Sequence, residues 1–249
     1  MTKSNCIITC EFNMTEYARL FTYEALTEDT CAVTGYVGAE TASLLIPSAD
    51  PEGRPVVAIG DRAFASCGFL RAVTLPDSVA SIGRRAFAFC TGLLDIRTSS
   101  DSRLSTVGDR AFMVCERLTV LRFGRLHSLT SFGRSAFAYC TRLRSVVLPE
   151  GMTELAPSLF EGCAALEHIH LPETLTAIRT AAFSACKALR VLTLPASLRV
   201  IEDCAFAWCG HLTDLRLPET PLRHFRLRLH GVLRPGGRSE GGLISPMDI

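Results

Sequence analysis

The chain has 249 residues, of which 48% are hydrophobic, and its 26 basic and 25 acidic side chains leave a formal net charge of +1. So much apolar surface offsets the entropy of ordering a chain and excludes wholesale disorder. No apolar run approaches the roughly 18 to 20 residues that a membrane-spanning helix needs. The charge is unevenly spread, with net −5 over residues 1–57, +4 over 58–218 and +2 over 219–249. Of the basic residues only Lys3 and Lys187 are lysines; selection for bidentate contacts and genome base composition both account for this, and the second is preferred.

Residues 1–20 lack the apolar stretch of about 7 to 15 residues that marks a secretory leader. Cys6-Ile7-Ile8-Thr9-Cys10 is short, and Glu11 follows at once, so the chain shows no recognisable signal peptide. Phe21, Tyr23 and Ala25 then alternate, Thr27-Glu28-Asp29-Thr30 is polar, and Cys31, Val33 and Gly35 alternate again. Two alternating runs around a polar turn predict a β-hairpin. Leu44-Leu45-Ile46-Pro47 imitates the strand ends found later, and a Pro/Gly loop follows over residues 48–56. Residues 1–57 are therefore expected to cap the apolar end of what comes next.

Over residues 58–218 one pattern occurs seven times. Phe64, Phe87, Phe112, Phe137, Phe160, Phe183 and Phe206 are separated by 23, 25, 25, 23, 23 and 23 residues. A fixed period in this range marks a solenoid, in which length does not count domains. Each Phe is followed by a Cys (Cys67, Cys90, Cys115, Cys140, Cys163, Cys186, Cys209) and preceded by Ala, with Leu159 the exception. Eleven cysteines in all suggest disulfides. A Cys at the same place in every coil instead reads as a small buried hydrophobe whose thiol faces a backbone carbonyl. Cys6, Cys10, Cys31 and Cys204 stay unassigned.

Within a coil, Leu143, Val146 and Leu148 have the LxxLxL spacing of a leucine-rich repeat. Val146 and Leu148 share one side of a short strand and point inward, and Pro149, lacking an N–H, ends it. Each coil then offers about seven to nine inward side chains, worth roughly 1.5 to 3 kcal/mol each when fully buried. No coil buries them alone, so the coils must stack. Two extra residues fall between Ile96 and Val107 and again between Leu121 and Phe132. Residues 98–103 and 123–128 are expected to bulge side by side at one edge. The fold expected is a strand-dominated α/β-type repeat solenoid: a right-handed leucine-rich repeat superhelix with a parallel concave β-sheet and an irregular convex side.

The unit AF-x-x-C-x-x-L-x-x-[VIL]-x-L-P-x-x-[VLM]-x-x-I, with the leader FTYEALTEDTCAVTGYVGAETASLLIPS, resembles the BspA-like, treponemal-type leucine-rich repeats over about residues 21–218. The resemblance implies a bacterial or protist surface protein that binds extracellular-matrix or host plasma proteins, or mediates contact between cells. It suggests a cell-surface or periplasmic location and brings no catalytic residues.

The outward strand positions form two columns. One holds Ala72, Asp95, Val120, Ser145, His168, Val191 and Asp214; the other holds Thr74, Arg97, Arg122, Val147, His170, Thr193 and Arg216. Arg, Val and His mixed on a rigid surface suit a protein-binding patch rather than a reaction centre. The candidate ligand contacts are Arg97, Arg122 and Arg216 around an apolar centre of Val120, Val147 and Val191, with Ser145, His168, His170 and Thr193 between them. The plainer alternative is a set of solvated positions. His168 and His170 share a strand face and reach toward one point, as a metal would need, but Ser145, Val147, Val191 and Thr193 supply no third strong ligand. No metal and no cofactor are expected.

No GxSxG, HExxH, P-loop or strand-to-helix GxGxxG occurs, so an enzyme is not expected. The columns carry no aromatic interleaving for base stacking, which argues against nucleic acid. Residues 219–249 hold no further AF-x-x-C unit; they are expected to form a C-terminal cap or a flexible tail. The leading expectation is a non-enzymatic, adhesin-like module that binds an extracellular host or matrix protein on its concave face. The alternative is an intracellular or periplasmic scaffold that binds a peptide, or self-associates through its ends or concave face to form a homo-oligomer.

Overall fold

A computed structural model describes residues 14–123, 126–217 and 224–225. A short helix, Met14–Ala18, leads into an antiparallel hairpin of strands Phe21–Ala25 and Cys31–Tyr36. The hairpin matches the two alternating runs and buries Phe21, Cys31 and Val33 on its inner side. The expected C-terminal cap or tail lies outside the described residues except for strand His224–Phe225.

Among the described residues all later strand pairing is parallel, apart from one isolated antiparallel bridge between Ala49 and Pro55. In the first ladder, Ser43–Leu45, Ala72–Thr74 and Asp95–Arg97 form one sheet. Val120–Arg122, Ser145–Val147 and His168–His170 form the next, and Val191–Thr193 pairs with Asp214–Arg216. These are the LxL strands, and the ladder already starts at Ser43 within the N-terminal segment. A second ladder grows from the hairpin: Cys31–Tyr36 pairs with Val56–Ile59, then come Ser81–Ile82, Thr106–Val107 and Ser131–Phe132. It resumes as Glu154–Leu155, Ala177–Ile178, Val200–Ile201 and His224–Phe225. Strands of two residues are too short to show an alternation, so the sequence pattern marks only one strand per coil where the structure has two.

The third side of each coil is the Phe turn. From Phe64 to Phe183, each ladder Phe donates its N–H to the carbonyl of the residue preceding the next ladder Phe, over 2.7 to 3.1 Å. The turn needs a left-handed residue on each flank, for example Arg85 (φ 55°) and Phe89 (φ 62°) around Phe87. Such a conformation costs an L-residue about 1–2 kcal/mol; the inter-coil hydrogen bonds and ring burial offset it.

The rings of Phe64, Phe87, Phe112 and Phe137 stack with centroids 5.1, 5.2 and 5.4 Å apart. The spacing opens to 5.9 and 5.8 Å through Phe160 and Phe183. A close approach changes at the same place. A Cβ added at Gly133 would lie 2.4 Å from Asp109 N, and one at Gly83 would lie 2.7 Å from Asp61 N. The matching positions in the next coils are Ala156, Arg179 and Glu202 rather than glycine, and the second ladder breaks between Ser131–Phe132 and Glu154–Leu155; the ring spacing returns to 5.4 Å between Phe183 and Phe206.

Each ladder Cys from Cys90 to Cys209 donates its thiol to the carbonyl of the Phe in the preceding coil, for example Cys90 to Phe64 at 3.0 Å and Cys140 to Phe112 at 3.3 Å. Burial pushes the thiols of Cys90, Cys140 and Cys209 up to about 12, and the described cysteines are free. Cys67 departs from the expectation and is only half-buried, because no Phe coil precedes it to cover it and accept its thiol. The second insertion does not simply bulge. Phe123 takes the inward place that Leu148 holds in the next coil, and Phe123 and Leu126 are buried, with Phe123 against Phe132 at 5.6 Å. A large apolar side chain gains more from the core than from the surface. In the first insertion Ser99, Ser100 and Asp101 do face out, Ser99 bonding to Asp77.

Candidate binding face

Register aligns the outward residues of the first ladder as the periodicity expects. Val120, Ser145 and His168 stand side by side, as do Arg122, Val147 and His170; Val191 and Asp214, and Thr193 and Arg216, follow in the last sheet. Breaks between Arg97 and Val120 and between His170 and Val191 divide the face into three panels. Val120, Val147 and Val191 are 37%, 40% and 48% exposed, an apolar content that the interior does not require. Ser145 is half-buried, and His168, His170, Thr193, Arg97 and Arg216 are exposed. Ala72 is the departure: it is buried, being the smallest side chain in its column.

Two of the arginines on this face are paired at short range. Arg97 Nε donates to Asp95 Oδ2 at 2.8 Å, and Arg216 Nε to Asp214 Oδ2 at 3.0 Å. Both are D-x-R pairs, because residues two apart share a strand face. Exposed pairs of this kind are worth about 0–1 kcal/mol, so they orient the guanidinium groups rather than stabilise the fold. His170 Nε2 lies 3.2 Å from Glu150 Oε1, and His168 Nε2 lies 4.0 Å from Glu167 Oε2. Among the described residues no three His, Cys, Asp or Glu side chains are placed to hold a metal ion.

Two depressions flank the face. One of about 590 Å³ is lined by Glu167, His168, Lys187, Arg190, Val191 and His211, so it opens onto the first column. The other, of about 640 Å³, is bordered by Leu45, Thr74, Arg97 and Ser99 beside the second column. Lys187, Arg190 and His211 were not among the residues expected at the site. They lie in the turns after Cys186 and Cys209, one, four and two residues beyond the Cys, so they share no repeat position that would mark them in the sequence. The same reasoning passes over Phe89, Tyr139 and Trp208, which stand two residues after the ladder Phe and are exposed.

Stacked coils of one repeating unit with an open, side-chain-rich strand face define a leucine-rich repeat solenoid, a class that typically serves as a non-enzymatic binding scaffold. The chain matches the family described as BspA type leucine rich repeat region in six copies, over residues 57–190 and 154–226. It belongs to that family. It is similar to the crystal structure of the leucine rich repeat protein of T. pallidum, with 30% identity, 82% of this chain and 84% of that one covered, and a TM-score of 0.66. A leucine rich cell surface protein of Faecalibacterium prausnitzii is 31% identical, with 79% and 52% covered and a TM-score of 0.70. A leucine-rich repeat protein of Bacteroides ovatus is 28% identical, with 80% and 52% covered and a TM-score of 0.69; this chain thus spans about half the length of these last two. A comparison with curated proteins found no match. No helix among the described residues is long and apolar enough to cross a membrane.

Proposed function

We propose that the protein is an adhesin-like module that binds an extracellular protein through the face of its first strand ladder. The carrying observation is the exposure of Val120, Val147 and Val191 on this face among Arg97, Ser145, His168, His170, Thr193 and Arg216. An interface needs an apolar centre and a polar rim, and a stacked backbone presents both without reordering side chains on arrival. Arg97 and Arg216, oriented by their aspartates, offer guanidinium edges to carboxylates of the partner; Arg122 stands at the same column position beside Val147. Display outside the cell is supported by the naming of the Faecalibacterium prausnitzii relative as a cell surface protein.

The test is capture from a panel of matrix and plasma proteins, with wild type against Arg97→Glu, Arg122→Glu and against Val147→Asp. Retention of one component by wild type and its loss in both variants is expected. Equal retention by all three proteins removes the assignment of this face. Digestion by protease added to intact cells tests the location, and a protein left whole there counts against surface display.

A further inference from the structure

A different side of the coil carries a line of arginines. Arg62, Arg85 and Arg110 occupy the same position, two residues before the ladder Phe, in three successive coils, with φ of 57°, 55° and 57°. Backbone bonds from Arg62 N to Arg84 O, Arg85 N to Asp109 O and Arg110 N to Arg134 O, at 2.8 to 2.9 Å, hold the coils in step. The rungs therefore repeat at the coil spacing, 5.1 to 5.2 Å by the Phe rings beneath. Arg84 and Arg134 flank the line and are exposed.

Among the described residues none of these five guanidinium groups is ion-paired with a carboxylate, unlike Arg54, Arg97, Arg179 and Arg216. The nearby carboxylates each turn one oxygen to the backbone of the next coil: Asp61 Oδ1 accepts the backbone N–H of Arg84 at 2.7 Å, and Asp109 Oδ1 that of Arg134 at 2.8 Å. Arg85 Nε is buried without a hydrogen-bond partner. Burial, and then the charges of Arg110, Arg84 and Arg62, disfavour the protonated form of Arg85, so the arginines repel one another. Backbone geometry does not ask for arginine here. The same left-handed position in the later coils holds Ser135, Ser158, Ala181 and Cys204, which meet the same conformational demand without charge.

We propose that this arginine ladder binds a linear sulfated polysaccharide lying along the solenoid axis, with sulfate esters received by Arg62, Arg85 and Arg110 and flanked by Arg84 and Arg134. Planar guanidinium forks suit such oxyanions, which accept two parallel N–H bonds. A line of charge one or two side chains wide fits a chain rather than a bilayer surface. The arginine columns hold no apolar anchor of the kind on which a protein interface centres. The stripe four residues further along carries Phe89, Val114 and Tyr139, so no two adjacent coils among them offer rings to consecutive nucleic-acid bases.

The test is titration of the full chain with heparin at about 50 mM salt, where polyelectrolyte binding is strong, and again at higher salt. The comparison is with an Arg62→Ser, Arg85→Ser, Arg110→Ser variant and with Arg19→Ser at the N-terminal helix, away from both faces. Saturable binding that weakens with salt is expected, with a loss of at least about tenfold in the triple variant and no change in Arg19→Ser. Because serine already serves this position in two coils, the triple variant should stay folded, and at low salt it should melt no lower than the parent. Unchanged heparin affinity in the triple variant, or no heparin binding by the parent, overturns the proposal. So does tighter binding of a single-stranded oligonucleotide or of phosphatidylserine vesicles than of heparin at the same salt.

Discussion

Replacing Phe137 by Ala removes the ring most completely surrounded by other rings. It is fully buried, lies between Phe112 at 5.4 Å and Phe160 at 5.9 Å, and meets Phe132 edge-on at 5.3 Å and Phe123 at 6.0 Å. A buried Phe→Ala change costs about 3–5 kcal/mol in transfer and cavity terms, and aromatic pairs add about 0.5–1.5 kcal/mol beyond burial. Backbones tied by hydrogen bonds on three sides of the coil toward Phe112 and on two toward Phe160 have little freedom to close the cavity, so a value near the top of that range, about 4–5 kcal/mol, is expected. In a stack held by nearest-neighbour contacts the loss falls on one junction, and the two halves should begin to melt separately. Urea denaturation followed by circular dichroism should show a lower midpoint and a smaller apparent m-value. Phe206→Ala, whose only ladder neighbour among the described residues is Phe183 at 5.4 Å, should cost less, about 3 kcal/mol. A Phe137→Ala loss below about 1 kcal/mol, or equal losses at both positions, would refute the reasoning that mid-stack burial holds the coils together.

The thiol ladder makes stability depend on alkaline pH. Folded-state values near 12 for Cys90, Cys140 and Cys209 stand above the ordinary 9.0, so the native chain keeps protons that the unfolded chain releases. This stabilisation is complete below about pH 9 and declines as pH rises toward 12; a denaturation series at rising pH should show the fall, and replacing the three cysteines with serine should flatten it. In the native protein Cys67 should react with a thiol reagent well before the buried ladder cysteines, as peptide mapping of labelled protein would show. Gly133→Ala puts a Cβ 2.4 Å from a backbone nitrogen, and a thermal melt should reveal a loss of about 1–3 kcal/mol from the forced shift. Arg179 bridges Glu154 at 2.7 Å and Glu202 at 2.8 Å. Burial would raise the Glu202 carboxyl, but bonds from Arg179 and Thr180 outweigh it and hold it below its ordinary value. That contribution is present above about pH 4.5 and is lost as pH falls through the depressed value; Arg179→Met should reduce the acid-side loss of stability.

The period of Phe, Cys and Leu was enough to place the interior, because a buried position constrains volume and polarity and so repeats in every coil. It led to the solenoid, the inward Phe ladder, the reduced cysteines bonded to carbonyls and the two outward columns. What varies from coil to coil carried no such signal. The second strand ladder depends on backbone pairing between residues about 23 to 25 apart, which two-residue strands do not announce. The inward turn of Phe123 was decided by space left in one coil, and the burial of Ala72 by taller neighbours. The pairing of Arg97 with Asp95 was implicit in the D-x-R spacing, whereas the isolation of Arg85 was not. No carboxylate ion-pairs with it among the described residues, and Asp61 and Asp109 each turn one oxygen to a backbone N–H of the next coil. Sequence alone therefore determined which residues hold the stack together; only the tertiary structure decided which surface charges are neutralised and which are left exposed, because that depends on distances between coils.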